Sequence, residues 1–206
     1  MNKSSQTAVF SVAFARRALA GLGLVEALGP DWPVYGLQPR GLDGVGVPHS
    51  RVEAAAECHV QAIEALYPQG PLSLVGHSFG GWVAHAMAVK LEARGRTVTS
   101  LTLIDSEAPD GQGTCGQPYT TTAALELLVA ALQRSSGKPL ALPAQAFAEA
   151  DDTRQLQLLQ DAMVGAGLLP PRASVQALQG MVGCFARALR TVYRPQPGYS
   201  GAVSLV

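Results

Sequence analysis

Residues 72–95 constrain the fold more than any other part of the sequence. The apolar run at 72–75 has the length and residue types of a buried strand, and the segment after Gly80 has the apolar content of a helix that ends in a basic turn and Gly95. Only a short G-x-S-x-G segment at 76–80 joins the two. A strand that passes into a helix through so short a turn is typical of a parallel sheet, so we expect an α/β fold.

Four more apolar or β-branched runs are predicted to be strands of the same sheet, at residues 8–12, 33–37, 101–105 and 202–206. A helix is predicted over residues 16–28. Ser50 and Glu53 have the spacing of a capping box, which predicts a second helix that begins at Ser50 and runs to about Tyr67. Strands that alternate with such helices indicate βαβ units and a mostly parallel sheet flanked by helices.

The pattern changes at residue 121, because residues 121–193 are almost entirely helical in character. Segments 137–139 and 169–171 contain proline and divide this stretch into about three helices. Two interpretations remain: a lid or substrate-gripping insertion between two strands, or a helical layer that packs on the sheet. We expect a single domain whose core comprises residues 1–118 and 194–206, with the helical stretch at 119–193.

The composition argues against several classes of protein. Fifteen basic and fifteen acidic side chains cancel, so neither nucleic acid nor an anionic membrane surface is an expected partner. No apolar run approaches the roughly 18 residues needed to span a membrane. The three cysteines lack the spacing of a zinc site or a disulfide framework, and Arg16 and Arg17 follow the N-terminal apolar run, which reverses the charge order of a signal peptide. A cytoplasmic protein without a bound metal is expected.

The G-x-S-x-G segment predicts a catalytic serine. A strand, a sharp turn and a helix are what a nucleophile elbow requires, and the glycines leave room beside the serine hydroxyl. We therefore predict that Ser78 is the nucleophile and that the backbone N–H of Phe79 faces the oxyanion. The alternative is a glycine-rich turn between strand and helix that contains a serine by coincidence.

The best candidate for the triad acid is Asp105. This residue ends the apolar run at 101–104, directly after the helix that Ser78 begins, so both side chains should lie at the carboxyl ends of neighbouring strands. Its alternative role is to cap the segment that follows.

A catalytic base is harder to find in the sequence. All four histidines, His49, His59, His77 and His85, precede Asp105, whereas an α/β-hydrolase supplies its residues in the order serine, acid, histidine. We expect the base to come from residues downstream of Val206, and thus the sequence to be truncated at its C-terminus.

Four motifs together resemble a known family: VYGLQPRG at 34–41, PLSLVGHSFGG at 71–81, LEARG at 91–95 and LIDS at 103–106. They are similar to motifs of the type I thioesterase domains that end nonribosomal peptide and polyketide synthetases. The resemblance implies an α/β-hydrolase fold with a helical lid, Ser78 as nucleophile and Asp105 as acid. It also implies transfer of a peptidyl or acyl chain from the phosphopantetheine of a carrier protein to Ser78, then release by hydrolysis or cyclisation, with no cofactor bound by the domain.

The chain departs from the family pattern in two places. The loop after the first strand, which in the family supplies the second oxyanion donor, begins at Ala13 and contains no glycine, and the catalytic histidine is absent. Ala13 is the position expected to carry that donor. These departures leave open a degenerate domain that binds carrier or acyl chain without turnover. A stand-alone editing thioesterase and a general carboxylesterase are two further alternatives.

Overall fold

The computed structural model describes residues 8–12, 26–109 and 121–206. Within these ranges one five-stranded sheet is formed by β1 (Ala8–Val12), β2 (Val34–Leu37), β3 (Leu72–His77), β4 (Val98–Ile104) and β5 (Val203–Leu205). The strands lie in the order β2-β1-β3-β4-β5, and every neighbouring pair is parallel. The mostly parallel α/β sheet predicted from the sequence is confirmed, and all five predicted strands are present.

Two helices of this sheet follow the pattern expected from their sequences. In α1 (Val52–Leu66) the buried residues recur at spacings of three and four, which places them on one face of the helix. In α2 (Phe79–Ala93) nearly every position is apolar, because this helix packs against α1 and also against β3 and β4. The helix predicted at 16–28 lies outside the described residues except for its last three positions, 26–28, which are helical.

The predicted capping box at Ser50 is wrong. Helix α1 begins at Val52, and its N-cap is Arg51, which makes no side-chain capping hydrogen bond. Glu53 is therefore the second residue of the helix rather than the third, a position from which its carboxylate does not complete a capping box. Instead, Glu53 forms an ion pair of 3.5 Å with Arg51.

Charged side chains tie α1 to α2. The Glu57 carboxylate accepts hydrogen bonds from Arg94 at 2.7 Å and from Lys90 at 3.0 Å, and Arg94 also donates to Glu64 at 2.9 Å. The hydrogen bonds from Arg94 and Lys90 lower the pKa of Glu57 to about 2. These hydrogen bonds join side chains of α1 to side chains at the C-terminal end of α2.

A second group of helices has its own apolar core. It comprises α3 (Thr121–Ser136), α4 (Ala144–Ala148), α5 (Asp152–Gly165) and α6 (Val175–Leu189). The predicted breaks at 137–139 and 169–171 are present, but there are four helices rather than about three. The additional break follows α4, and Asp151 begins α5 by accepting a hydrogen bond from the Arg154 N–H at 2.8 Å.

The described chain divides into two compact units. The sheet unit contains the described residues of Met1–Pro39, His49–Thr114 and Thr191–Val206, and the helical unit contains those of Arg40–Pro48 and Cys115–Arg190. No helix in the described ranges is long and apolar enough to cross a membrane.

The loop Arg40–Pro48 belongs to the helical unit, although it directly follows β2 in sequence. Its backbone lies against α6 so closely that a Cβ added to Gly180 would come within 2.5 Å of the Gly41 carbonyl oxygen. The Arg40 side chain donates to the Val47 carbonyl at 2.7 Å, which holds the loop in shape. Packing against this loop explains why position 180 of α6 is a glycine.

Candidate active site

The turn between β3 and α2 has the geometry of a nucleophile elbow. Ser78 lies between the two elements with φ 53° and ψ −127°, a conformation that L-residues other than glycine rarely adopt. Its N–H donates to the Ile104 carbonyl at 2.8 Å, and its carbonyl accepts from the Gly81 N–H at 2.9 Å. A strained residue held by several backbone bonds is typical of a functional site.

The glycines around Ser78 are needed for close backbone contact. A Cβ added to Gly76 would lie 2.5 Å from the Gly80 carbonyl oxygen and the same distance from the Gly81 Cα. A Cβ added to Gly81 would collide with the Ser106 hydroxyl. Gly76, in the G-x-S-x-G motif, thus has no room for a side chain against the backbone, whereas a side chain at Gly81, directly after the motif, would require Ser106 to shift.

Asp105 occupies the matching position on the neighbouring strand. It follows β4, just as Ser78 follows β3, and the residues that precede them, His77 and Ile104, are partners in the sheet register. Asp105 also has positive φ, 47°, and in the described ranges it and Ser78 are the only non-glycine residues that do. The two predicted residues therefore lie next to each other at the same edge of the sheet.

Backbone pairing also holds the Asp105 segment. The Asp105 N–H donates to the Val206 carbonyl at 2.9 Å, and the Val206 N–H donates to the Leu103 carbonyl at 2.9 Å. The carboxyl ends of β3, β4 and β5 are consequently joined one to the next.

Two side-chain hydrogen bonds that the sequence did not predict connect the elbow to the segment after Asp105. The Ser106 hydroxyl donates to the Ser78 carbonyl at 2.9 Å, and the Trp82 indole N–H donates to the Glu107 carbonyl at 2.8 Å. The LIDS motif contains Ser106, but nothing in the local sequence indicates either contact.

An aromatic cluster lies beside α2. The Trp82 ring is 6.0 Å from the Tyr193 ring and 5.7 Å from the Phe79 ring. The Tyr193 hydroxyl is 2.8 Å from His85 Nδ1, and burial together with the charge of Glu53 raises the pKa of Tyr193 to about 12. Through Trp82 and His85, Tyr193 thereby holds the segment that leads to β5 against α2.

Two of the four histidines, His59 and His85, are buried or paired with another side chain. His59 lies on the buried face of α1, where burial and the nearby His49 lower its pKa to about 4. His85 is paired with Tyr193, and burial lowers its pKa. His77 is the last residue of β3. The role of base therefore stays unassigned among these residues.

Of the two predicted oxyanion donors, Phe79 is the first residue of α2 and directly follows Ser78. Ala13 lies outside the described residues. Among the described residues, no group of three or more His, Cys, Asp or Glu side chains is arranged to hold a metal ion.

Comparison with known families gives a match at the level of a family model. The model of the thioesterase domain matches residues 22–167. Malpibaldin synthetase of Mortierella alpina is 47% identical over 87 residues, which is 42% of this chain and 2% of that protein. The chain therefore corresponds to a very small part of the curated relatives that it matches.

Solved structures show the same fold at low sequence identity. A four-domain nonribosomal peptide synthetase bound to AMP and glycine aligns with a TM-score of 0.83 at 21% identity, over 98% of this chain and 15% of that one. The type II thioesterase BorB from the borrelidin biosynthetic cluster aligns with a TM-score of 0.64 at 18% identity, over 100% of this chain and 84% of that one. The predicted α/β-hydrolase fold is confirmed.

Proposed function

The chain belongs to the thioesterase domain family, and we propose that it releases a peptidyl or polyketide acyl chain from the phosphopantetheine of a carrier protein through an acyl-Ser78 intermediate. The observation that carries this proposal is the pair of strained residues at the ends of adjacent strands, Ser78 after β3 and Asp105 after β4. The proposed partners are an acyl or peptidyl carrier protein and the small-molecule chain that it presents.

Residues of this chain are assigned to every role in the proposed reaction except that of the base. The Ser78 hydroxyl oxygen attacks the thioester carbonyl carbon, a base takes its proton, and the phosphopantetheine thiol leaves with that proton. Water or a nucleophile within the acyl chain then attacks the carbonyl carbon of the Ser78 ester and gives its proton to the base. The ester bond to Ser78 breaks and the base returns the proton to the Ser78 oxygen, which gives hydrolysis or cyclisation. Asp105 orients the base, and the Phe79 N–H stabilises the oxyanion in both steps.

The base of this mechanism is proposed to lie outside the 206 residues. The grounds are that none of the four histidines follows Asp105, that His85 is hydrogen-bonded to Tyr193 and that His59 lies on the buried face of α1. Without a base, proton removal from a serine hydroxyl near neutral pH is unfavourable. We therefore expect the 206-residue chain alone to turn over far more slowly than the median enzyme rate of about 10 per second. An ordinary rate would show that His49 or His59 acts after all.

The helical unit is proposed to act as the lid of the domain. In support, its four helices lie between β4 and β5 in sequence and have an apolar core of their own. A lid controls access of water to an acyl-enzyme, and so the balance between hydrolysis and cyclisation. We also propose that the protein works in the cytoplasm, because Cys58 and Cys184 are free thiols.

The nucleophile can be tested on the chain as it is. A fluorophosphonate probe is added with imidazole in the buffer as a surrogate base, and the labelled peptide is identified by mass spectrometry. We expect the label on Ser78 and none on Ser78→Ala. Ser100→Ala is the matched control, since it removes a serine hydroxyl from β4 that donates to the Ser73 hydroxyl on β3. Equal labelling of Ser78→Ala and the unmodified chain would contradict the assignment.

The substrate class needs a second comparison. Cleavage of an acyl-phosphopantetheinyl carrier protein is measured against cleavage of a short p-nitrophenyl ester, again with imidazole. A strong preference for the carrier thioester supports the proposed function, whereas equal cleavage indicates a general carboxylesterase. Tight carrier binding with neither labelling nor cleavage would identify a degenerate binding domain.

A further inference from the structure

Ser106 makes a contact at the elbow that the mechanism above does not use. Its hydroxyl lies 2.9 Å from the Ser78 carbonyl oxygen and 3.1 Å from the Ile104 carbonyl oxygen. A serine hydroxyl has one hydrogen to donate, and the Ser78 carbonyl is the nearer acceptor. The same carbonyl accepts from the Gly81 N–H at 2.9 Å, so two donors from separate parts of the chain hold one oxygen atom.

The space for this contact is provided by Gly81. A Cβ at that position would meet the Ser106 hydroxyl and would lie 2.8 Å from the Ser106 Cβ. The absence of a side chain at 81 therefore lets Ser106 approach the first turn of α2. The two residues form a matched pair although 24 residues separate them in sequence.

The geometry of the peptide group links the direction of the Ser78 carbonyl to that of the Phe79 N–H. The carbonyl of Ser78 and the N–H of Phe79 belong to the same planar trans peptide, so they point in opposite directions. A donor that fixes the carbonyl oxygen thereby fixes the direction of the Phe79 N–H. Ser78 combines φ 53° with ψ −127°, and rotation of this peptide would change ψ towards the allowed left-handed region and relieve strain unless the peptide is held.

The geometry points to Ser106 as a positioning residue that holds the Ser78–Phe79 peptide in the orientation needed for the oxyanion donor. This inference rests on the proposed function, because it assigns a role to a residue through Phe79. Ser106 itself does not contact the reacting atoms. It acts through the backbone of the elbow.

The test measures the rate of fluorophosphonate labelling at Ser78, with imidazole, in Ser106→Ala. Complete removal of one oxyanion donor costs roughly 10²–10³ in rate in other serine enzymes, and here the Gly81 bond remains, so we expect a fall of about tenfold. Ser100→Ala is the matched control, because it also removes a serine hydroxyl hydrogen bond on β4 but is not joined to the elbow. Its labelling rate should equal that of the unmodified chain.

A spectroscopic measurement separates positioning from general stability. The phosphorus atom of the labelled Ser78 carries an oxygen in the place of the oxyanion, so its ³¹P chemical shift reports the donors around it. We expect this shift to change in Ser106→Ala and to stay constant in Ser100→Ala. Thermal unfolding by circular dichroism checks that both variants are folded. If Ser106→Ala is unfolded, Ser106→Cys replaces it, since a thiol has similar volume but donates weakly.

The possible outcomes are distinct. A rate and a ³¹P shift unchanged in folded Ser106→Ala, or in Ser106→Cys, overturn the inference while the proposed function stands, provided that Ser78→Ala loses the label. Labelling that persists in Ser78→Ala instead refutes the proposed function itself. A lower rate with a changed shift supports the positioning role of Ser106.

Discussion

The two units of this chain are each held together by different kinds of contact. In the sheet unit, strained backbone at Ser78 and Asp105 is held by hydrogen bonds between segments that are far apart in sequence. In the helical unit, the non-glycine residues of the described ranges keep ordinary backbone conformations, and the helices begin with local caps such as Asp151 and Ser174 around an apolar core. Strain is thus confined to the strand ends that carry the candidate chemistry.

This difference predicts where a substitution should have a large effect on stability or activity. A strained site needs several neighbours to hold it, so a small change at one neighbour disturbs the whole arrangement. A core of helices with generic apolar contacts tolerates change more readily when volume is kept. We therefore expect large effects at the strand ends and small effects on the exposed faces of the helices.

The largest effect is expected for Asp105→Asn. Asparagine tolerates positive φ, so the backbone at φ 47° should be retained while the negative charge that orients the base is lost. Measured in the protein together with the histidine that serves as base, turnover should fall by about 10⁴. Asp161→Asn, an exposed aspartate on α5, is the control and should leave turnover unchanged. A loss below about tenfold at Asp105 would assign the role to another carboxylate.

Glycine-to-alanine exchange compares the two units directly. Gly81→Ala places a methyl group against Ser106, so we expect a loss of about 1–3 kcal/mol in the free energy of unfolding and slower labelling of Ser78. Gly183→Ala lies within α6 with no atom near the added methyl, and should stabilise the chain by about 0.5–1 kcal/mol. Urea unfolding measures both. Equal changes in the two variants would contradict the contrast between the units.

Loss of a helix cap should have an intermediate effect. The Ser174 hydroxyl accepts a hydrogen bond from the Ala177 N–H at 3.1 Å at the start of α6. Ser174→Ala should lower the free energy of unfolding by about 1 kcal/mol, whereas Ser174→Asp, which keeps a capping acceptor, should retain most of it. Thermal unfolding distinguishes these results. An alanine variant as stable as the unmodified chain would show that the cap is dispensable.

The smallest effect concerns the ion pairs of α1 and α2. The pKa of Glu57 is lower in the folded chain than its ordinary value of 4.5, so folding favours the charged carboxylate. Its contribution to stability is therefore present above about pH 4.5 and is lost as the pH falls towards 2. Because the pair is partly exposed, Glu57→Gln should cost less than about 1 kcal/mol at pH 7.

The pH dependence of this difference is the decisive measurement. The stability gap between Glu57→Gln and the unmodified chain should close between pH 4.5 and about 2. Glu126→Gln, which replaces an exposed glutamate on α3, is the control variant measured over the same pH range. A gap at Glu57 that persists below its folded pKa would show that charge is not its cause.

The sequence by itself determined the features that depend on neighbours in the chain. Apolar runs of strand length predicted all five strands, and the glycines around Ser78 predicted the sharp turn from β3 into α2. Proline-containing segments predicted two of the breaks between helices. These signals are local, because strand formation, turns and helix ends depend chiefly on residues within a few positions of one another.

Only the tertiary structure decided the features that join distant residues. The loop Arg40–Pro48 packs with α6, and Ser106 reaches the Ser78 carbonyl across 28 positions, neither of which has a local signature. The capping box at Ser50 was wrong for the complementary reason, since its spacing fits the motif but the helix begins one residue too late. Local patterns indicate which structures a segment can form. Tertiary packing then decides which of these structures, and which long-range contacts, the folded chain contains.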